Sequence, residues 1–321
     1  MKLIQLLDQH QQPRVGIVNQ DRIQLLREVA SVYELAQRSE ESQQEMTSLA
    51  EQFASDTYLS YQQLAQEKRI LLPFHHPDPY HTWITGTGLT HLGSASSRSA
   101  MHQLEKAQEE NKLTDSMKMF QMGIENGHME GDAPATQPEW FYKGNGLSAV
   151  ASGQPLPSPA FALDGGEEPE IAGLYMISQR GEPRRIGFAL GNEFSDHQME
   201  KINYLYLAHS KLRKCSYGPE ILIGDLPNHI TGQSKIYRNQ QLLWEKDFLT
   251  GEAHMSHNLK NLEYHHFKYE LFRQPGDVHV HFFGTSVLSF ADQVQTQAGD
   301  VFEISADCFE HPLTNDLIQE E

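Results

Sequence analysis

Cysteine is nearly absent. Cys215 and Cys308 are the only two among 321 residues, too few for a disulfide framework or a four-cysteine zinc site, so both read as free thiols of a reducing compartment. Basic residues are scarce as well: 25 Lys and Arg stand against 43 Asp and Glu, a formal net charge of −18. That balance argues against nucleic acid and anionic membrane as partners, because neutralising phosphate takes a basic surface. It leaves room for a small basic pocket that accepts a carboxylate, since net charge describes the far field and not one cleft. Long apolar runs are missing too. No stretch approaches the ~20 residues of a membrane span, and the opening MKLIQLLDQHQQ turns polar too soon for a signal peptide. The expectation is a cytoplasmic protein without repeats or low-complexity tracts. What is present, 38% hydrophobic residues and 21% charged, suffices for a substantial core.

The chain divides at the run Pro73-Phe-His-His-Pro77-Asp-Pro79, where each proline fixes φ and removes a donor. This predicts a small N-terminal α/β domain over 1–78 and a larger domain over 79–321. In the first, Leu3–Leu7 and Val15–Val18 read as strands, and 31–54 as a helix with Val32, Leu35, Leu49 and Phe53 on one stripe. In the second, Trp83–Thr87 reads as a strand entering the turn Gly86-Thr-Gly88, Ser99–Glu110 as a charged helix, and Lys112–Pro138 as a polar segment suited to a lid or to an ordinary excursion. Strands then dominate: Phe161–Leu163, Glu170–Ile177, Arg185–Leu190, Glu220–Ile223, Lys235–Tyr237, Val278–Phe283 and Val301–Ile304, interrupted by a helix over Gln198–Leu207. Many short strands and few helices imply an α+β fold with a β-rich, curled-sheet core.

Glu168-Pro169-Glu170 opens one of these strands. Side chains two apart share a strand face, so the two carboxylates repel unless a cation lies between them, and hard oxygen ligands suit Mg2+, Ca2+ or Mn2+. Taken alone, Glu167, Glu168 and Glu170 are more simply a solvated acidic turn. Gly191-Asn192-Glu193 with Asp196-His197 at the end of the next strand supplies a third carboxylate and shifts the balance toward a metal site. The 17 histidines include the pairs His75–His76, His265–His266 and His279 with His281. The last two share a strand face, which suits a second metal site or, more simply, packing.

These pieces, in order, resemble the fumarylacetoacetate hydrolase family over roughly residues 80 to 316. GTGLTH ending at His91, Phe141-Tyr142-Lys143, Glu168 with Glu170, Asn192-Glu193, Lys211, Gly218-Pro219, Gly284-Thr285 and Gly299-Asp300 look like the family's successive motifs. The resemblance implies a catalytic domain of mixed β-roll type behind a small add-on domain, usually a homodimer. It also implies Mg2+ or Mn2+ held by Glu168, Glu170 and Glu193, and a small 2-oxo acid substrate. The branch it is most similar to handles 2-keto-3-deoxy sugar acids, as dehydratases. Three departures bear on chemistry. Glu193 stands where the family usually has aspartate, and His197 and Glu200 stand where it shows arginine and glutamine. Ser94 occupies the place of the glutamate that activates water in hydrolytic members.

The family's shared logic is a metal-held enolate of the 2-oxo acid, formed by loss of a C3 proton. On that logic Lys143 and Lys211 serve charge and proton work, with Arg213 or Lys214 as alternatives to Lys211. Glu200 or His91 serves acid–base work, and Gly284, Thr285 and His197 bind substrate. The implied function is a metal-dependent lyase. A hydrolase of 2,4-dioxo acids and a non-catalytic sugar-acid-binding protein are the competing readings.

Overall fold

The computed structural model describes residues 1–93 and 115–320. Its largest element is a 12-stranded mixed sheet. Ten of the strands follow one another in space: Ala54–Ser60, Arg22–Leu26, Pro13–Asn19, Lys2–Leu7, Glu220–Leu222, Pro183–Asn192, Pro169–Ile177, Val278–Phe282, Thr82–Gly86 and Phe141–Asn145. Most neighbours are antiparallel, whereas Val278–Phe282 lies parallel to Thr82–Gly86. A second, five-stranded sheet runs Gln241–Thr250, Ile230–Arg238, Val301–Ala306, Leu313–Gln319 and Leu156–Ser158. The architecture is α+β with curled mixed sheets, as the strand-rich pattern predicts.

Pro169–Ile177 is buried along its whole length, because both of its faces are covered. Ala172, Leu174 and Met176 enter one core cluster, and Ile171, Tyr175 and Ile177 enter another. This is the period-two alternation of a strand between two layers. Gly173 permits the second layer to close, since a Cβ there would lie 2.5 Å from the Phe283 ring.

Residues 1–78 join this frame directly. Lys2–Leu7 pairs antiparallel with Glu220–Leu222, and Val32, Leu35 and Leu49 lie in the same cluster as Leu174 and Val280. The proline-rich run is irregular, as expected, but firmly packed: Phe74 is fully buried, and its carbonyl accepts from Tyr217 Oη at 2.8 Å.

Several elements differ from the sequence expectation. The helix over 31–54 is two helices, Val32–Ser42 and Met46–Phe53. Gln43 between them is left-handed, at φ 57°, and the polar run around it offers nothing to bury. Phe161–Leu163 is a turn in which Ala162 N donates to Pro159 O, and Phe161 and Leu163 remain exposed. The helix expected over Gln198–Leu207 breaks into His197–Ile202, a 3-10 turn at Tyr204–Tyr206 and Leu207–Lys211. Asp115–Asn126 is helical within the segment read as a polar excursion. The Ser99–Glu110 helix and Ser94 lie outside the described residues. No helix among the described residues is long and apolar enough to cross a membrane.

The seam between the N-terminal strands and the C-terminal segment contains a buried acid, Glu220. One of its oxygens accepts from Glu310 N, and the other, Oε2, has no hydrogen-bond partner among the described residues. Burial pushes its carboxyl up to about 7. Because the folded state holds this proton more tightly than the unfolded chain, the associated stability is full below the unfolded value and is lost as pH rises through about 7. Glu220→Gln therefore gains on the wild type as pH rises from 5 to 8, by on the order of 2–3 kcal/mol. Urea unfolding at the two pH values measures this, and a pH-independent difference would refute it.

Candidate metal centre

The strand pairing assembles the centre. Gly191 is opposite Glu170 and Asn192 opposite Pro169, and Glu193 N donates to Glu168 O at 3.0 Å. The ends of two neighbouring strands thus bring Glu168, Glu170 and Glu193 together. All three are buried, and each offers a carboxylate oxygen within 4.8 Å of the others. Glu168 and Glu170 fall on the parity of Ala172 and Leu174, so the face pattern read from Glu-Pro-Glu is the face observed.

Three like charges so close inside a protein cannot all ionise unaided. Burial, then Glu193 and Glu168, pushes the Glu170 carboxyl well above the ordinary range. Its Oε2 accepts from Gly284 N at 2.7 Å. Gly284 has φ 98°, and a Cβ there would meet Thr90 Oγ1 at 2.2 Å, which ties the Gly-Thr turn to glycine. Burial raises Glu193 to about 7 even though Lys143 and Lys211 pull it down. Burial also pushes Glu168 up, but Lys211 and His197 outweigh it and hold that carboxyl well below its usual value.

Two buried lysines face the trio. Lys143 Nζ lies 2.7 Å from Glu193 Oε1 and donates to Phe194 O at 2.6 Å and Lys211 O at 2.9 Å, which occupies all three of its protons. Lys211 Nζ donates to Glu168 Oε1 and, at 3.0 Å, to Glu193 Oε2. It also sits 5.0 Å from the Phe141 ring centroid. Burial works against its charge, yet Glu168 and Glu193 raise it well above the ordinary lysine value. His197 bridges Glu168 at 3.0 Å and Asp164 at 3.3 Å. Burial opposes its protonation, but the two carboxylates push it up to about 10.

This donor set fits a divalent cation. Three buried carboxylate oxygens are the hard ligands that Mg2+ or Mn2+ takes. The mutual repulsion that raises Glu170 is the strain a cation would relieve. Beside the trio, Asn192 Oδ1 accepts from Glu168 N at 3.3 Å, and its buried Nδ2 has no partner among the described residues.

The remaining predicted residues fall at graded distances from the trio. Gly284 touches it directly, as above. Thr285 Oγ1 lies 2.9 Å from Pro169 O and 2.8 Å from Val287 O and so braces the turn beside the carboxylates. Glu200 is half-buried on the His197–Ile202 helix, and its charge is felt at Lys211. His91 is buried between two hydroxyls, with Nε2 2.8 Å from Thr250 Oγ1 and Nδ1 3.0 Å from Thr90 Oγ1. Burial and His254 lower it to about 3. The buried His266, His279 and His281 pack against one another and Phe272. The only candidate metal group among the described residues is the carboxylate trio.

Two further acids differ from the sequence reading: Glu167, read as part of a solvated acidic turn, and Glu139, not singled out there. Glu167 is fully buried and clamps the loop after the Gly-Thr turn, accepting from Ser289 N at 2.9 Å and Oγ at 2.7 Å. Glu139 is buried with Phe141 and Lys143, while Trp140 and Tyr142 between them are exposed. This alternation puts Glu139 on the face that carries Lys143. Its Oε2 accepts from Tyr204 Oη at 2.9 Å, and its Oε1 lies where a Gly88 Cβ would come within 2.0 Å. The signal was in the sequence: E-x-F-x-K is a period-two pattern ending on a predicted site lysine.

No family model and no curated protein matches the chain. Solved structures do, over the whole chain. A 2-keto-3-deoxy-D-arabinonate dehydratase complexed with magnesium and 2,5-dioxopentanoate aligns with a TM-score of 0.70 at 18% identity, covering 100% of both chains. A hexagonal crystal form of 2-keto-3-deoxyarabinonate dehydratase aligns with a TM-score of 0.71 at 19% identity, again covering 100% of both. A 5-carboxymethyl-2-hydroxymuconate delta-isomerase from Mycobacterium smegmatis aligns with a TM-score of 0.60 at 12% identity, with the same coverage. The described residues therefore have the fumarylacetoacetate hydrolase-type fold, and the alignments to these structures take in the first 78 residues as well.

Proposed function

We propose that this chain is a member of the fumarylacetoacetate hydrolase family and a divalent-cation-dependent hydro-lyase that removes water from a 2-keto-3-deoxy sugar acid. The observation that carries the reading is the buried Glu168, Glu170 and Glu193 cluster faced by Lys143 and Lys211. It is a site for a cation and a small anion together. The full-length likeness to a dehydratase complexed with magnesium supports it. When bound, the cation supplies Lewis acidity at the carboxylate and ketone oxygens of a 2-oxo acid.

The protein groups account for the rest. Lys211 and Lys143 offset the negative charge that develops as the C3 proton leaves. A carboxylate takes the C3 proton, a carboxyl group protonates the C4 hydroxyl as the C4–O bond breaks and water leaves, and tautomerisation of the resulting enol gives a C5 aldehyde from a five-carbon acid or a C5 ketone from a six-carbon one. Glu200 and Glu139 are our candidates for these proton transfers, each such transfer being worth ~10²–10⁴-fold. His91, neutral and spent on Thr90 and Thr250, acts as a buried brace of the Gly-Thr turn. That placement favours elimination over the hydrolytic alternative, which needs a base to activate water. We also place the protein in the cytoplasm, as a homodimer.

The test is turnover of a panel of 2-keto-3-deoxy acids and 2,4-dioxo acids with Mg2+, with products identified by mass. Loss of 18 mass units, the mass of one water, from a 2-keto-3-deoxy acid is expected. Release of pyruvate from a 2,4-dioxo acid, with the deoxy acids untouched, would replace the lyase by a C–C hydrolase.

A further inference from the structure

A cavity of about 290 Å³ is lined by Glu139, Trp140, Tyr204, Leu207, His266 and Tyr269 among others. Two elements tie it to the carboxylate trio. Leu207 and Lys211 are four apart on the Leu207–Lys211 helix, so they share a face about one turn, ~5–6 Å, apart. Glu139 shares the strand face of Phe141 and Lys143, and Phe141 lies over the Lys211 ammonium. The cavity thus begins one helix turn from the group that faces Glu168 and Glu193.

Its lining has a particular chemistry. Trp140, Tyr204 and Tyr269 present rings that are 37%, 37% and 44% exposed, and Glu139 places a buried carboxylate at the inner end, held by Tyr204 Oη at 2.9 Å. Trp140 is itself fixed, because its Nε1 donates to His266 Nδ1 at 3.2 Å. Aromatic faces pack on C–H surface, and a buried carboxylate accepts from hydroxyls. Together they suit a polyol chain. They suit a purely apolar tail poorly, since it would leave the carboxylate desolvated without new partners.

We propose that this cavity receives the hydroxylated tail of the substrate beyond C4, with Trp140 and Tyr269 as its specificity-determining residues. The proposal rests on the sugar-acid reading above and adds to it a preference for five- and six-carbon acids over shorter ones. An acid held by its C1 and C2 oxygens to a cation at the carboxylate trio would reach the cavity only when its chain extends past C4. A four-carbon analogue, 4-hydroxy-2-oxobutanoate, ends before it.

The test has a kinetic arm and a binding arm. In the kinetic arm, kcat/KM with Mg2+ is compared for a six-carbon 2-keto-3-deoxy acid and for 4-hydroxy-2-oxobutanoate. Trp140→Ala and Tyr269→Ala should each lower the ratio of the two values by ~10-fold or more, and Trp140→Phe should retain most of it. Melting curves confirm that each variant folds. In the binding arm, equilibrium dialysis compares a six-carbon aldonate, which cannot react, with glycolate. The wild type should hold the aldonate ~10-fold tighter, and Trp140→Ala should erase the difference. An aldonate preference that Trp140→Ala erases, in a protein that turns over no deoxy acid, would uphold the cavity and defeat the lyase reading. Turnover of deoxy acids with an unchanged ratio in both alanine variants would overturn the cavity and leave the lyase reading standing.

Discussion

Glu170→Gln will fold normally, and it will lose both divalent-cation binding and turnover. The variant keeps the shape of the side chain and a carbonyl oxygen to accept from Gly284 N, which now donates to Glu170 Oε2 at 2.7 Å. What it removes is one of three negative charges whose oxygens lie within 4.8 Å of one another. Without a cation that charge is a burden, because burial, Glu193 and Glu168 all disfavour it. The cation-free variant should therefore melt at or above the temperature of the wild type. With a cation the sign reverses. Mg2+ at ~100 times its dissociation constant adds about 2.7 kcal/mol to a protein that binds it only when folded. The variant should show no such gain, a cation affinity lower by ~10²-fold or more, and turnover lost in proportion. Melting with and without Mg2+ separates this outcome from simple misfolding. An unchanged Mg2+ response in Glu170→Gln would mean that the cation, if bound, is held elsewhere.

The carboxylate trio was legible in the sequence because its logic is local. Glu168 and Glu170 are two apart on one strand, and Glu193 closes the next strand, so one antiparallel pairing completes the site. Lys143 and Lys211 were legible only through the order of motifs. Nothing around Lys211 marks it as buried, the short E-x-F-x-K alternation before Lys143 is easily passed over, and the roles of both depend on where Glu193 and Phe194 arrive in space. Glu139 was missed for the converse reason. It sits in a polar stretch with no periodicity before it, and its burial comes from Tyr204 and Gly88, 65 and 51 residues away in sequence. The strands at the sheet edges were missed on similar grounds. Gln241–Thr250 is exposed along most of its length, so its residues carry no hydrophobic alternation and its pairing is enforced by Ile230–Arg238 beside it. Conversely, Phe161–Leu163 has the composition of a strand, but with no neighbour to pair with it forms a turn. Composition reports what a segment prefers to bury, and the rest of the fold decides whether it can.

The two site lysines separate in what they do, and substitution by methionine should show it. Lys211 Nζ contacts Glu168 and Glu193, so without a cation it acts as the internal counter-ion of the trio. Methionine fills most of its volume but leaves two buried carboxylates short of a partner, and stripping one member from a buried ion pair costs about 3–5 kcal/mol. Lys211→Met should therefore be strongly destabilised in the absence of divalent cation. Added Mg2+ should recover much of that loss, since it supplies positive charge at the same carboxylates. Turnover should stay down by ~10² or more, because the charge that serves the substrate is gone. Lys143 also neutralises Glu193, but its other two protons go to the carbonyls of Phe194 and Lys211. Lys143→Met orphans those carbonyls, which no cation at the trio can satisfy, so Mg2+ should rescue it far less. Denaturant unfolding of both variants, with Mg2+ and with chelator, reads the contrast. Equal rescue of the two would show that Lys143 is held there for charge alone. No loss of stability in cation-free Lys211→Met would refute its role as counter-ion to Glu168 and Glu193.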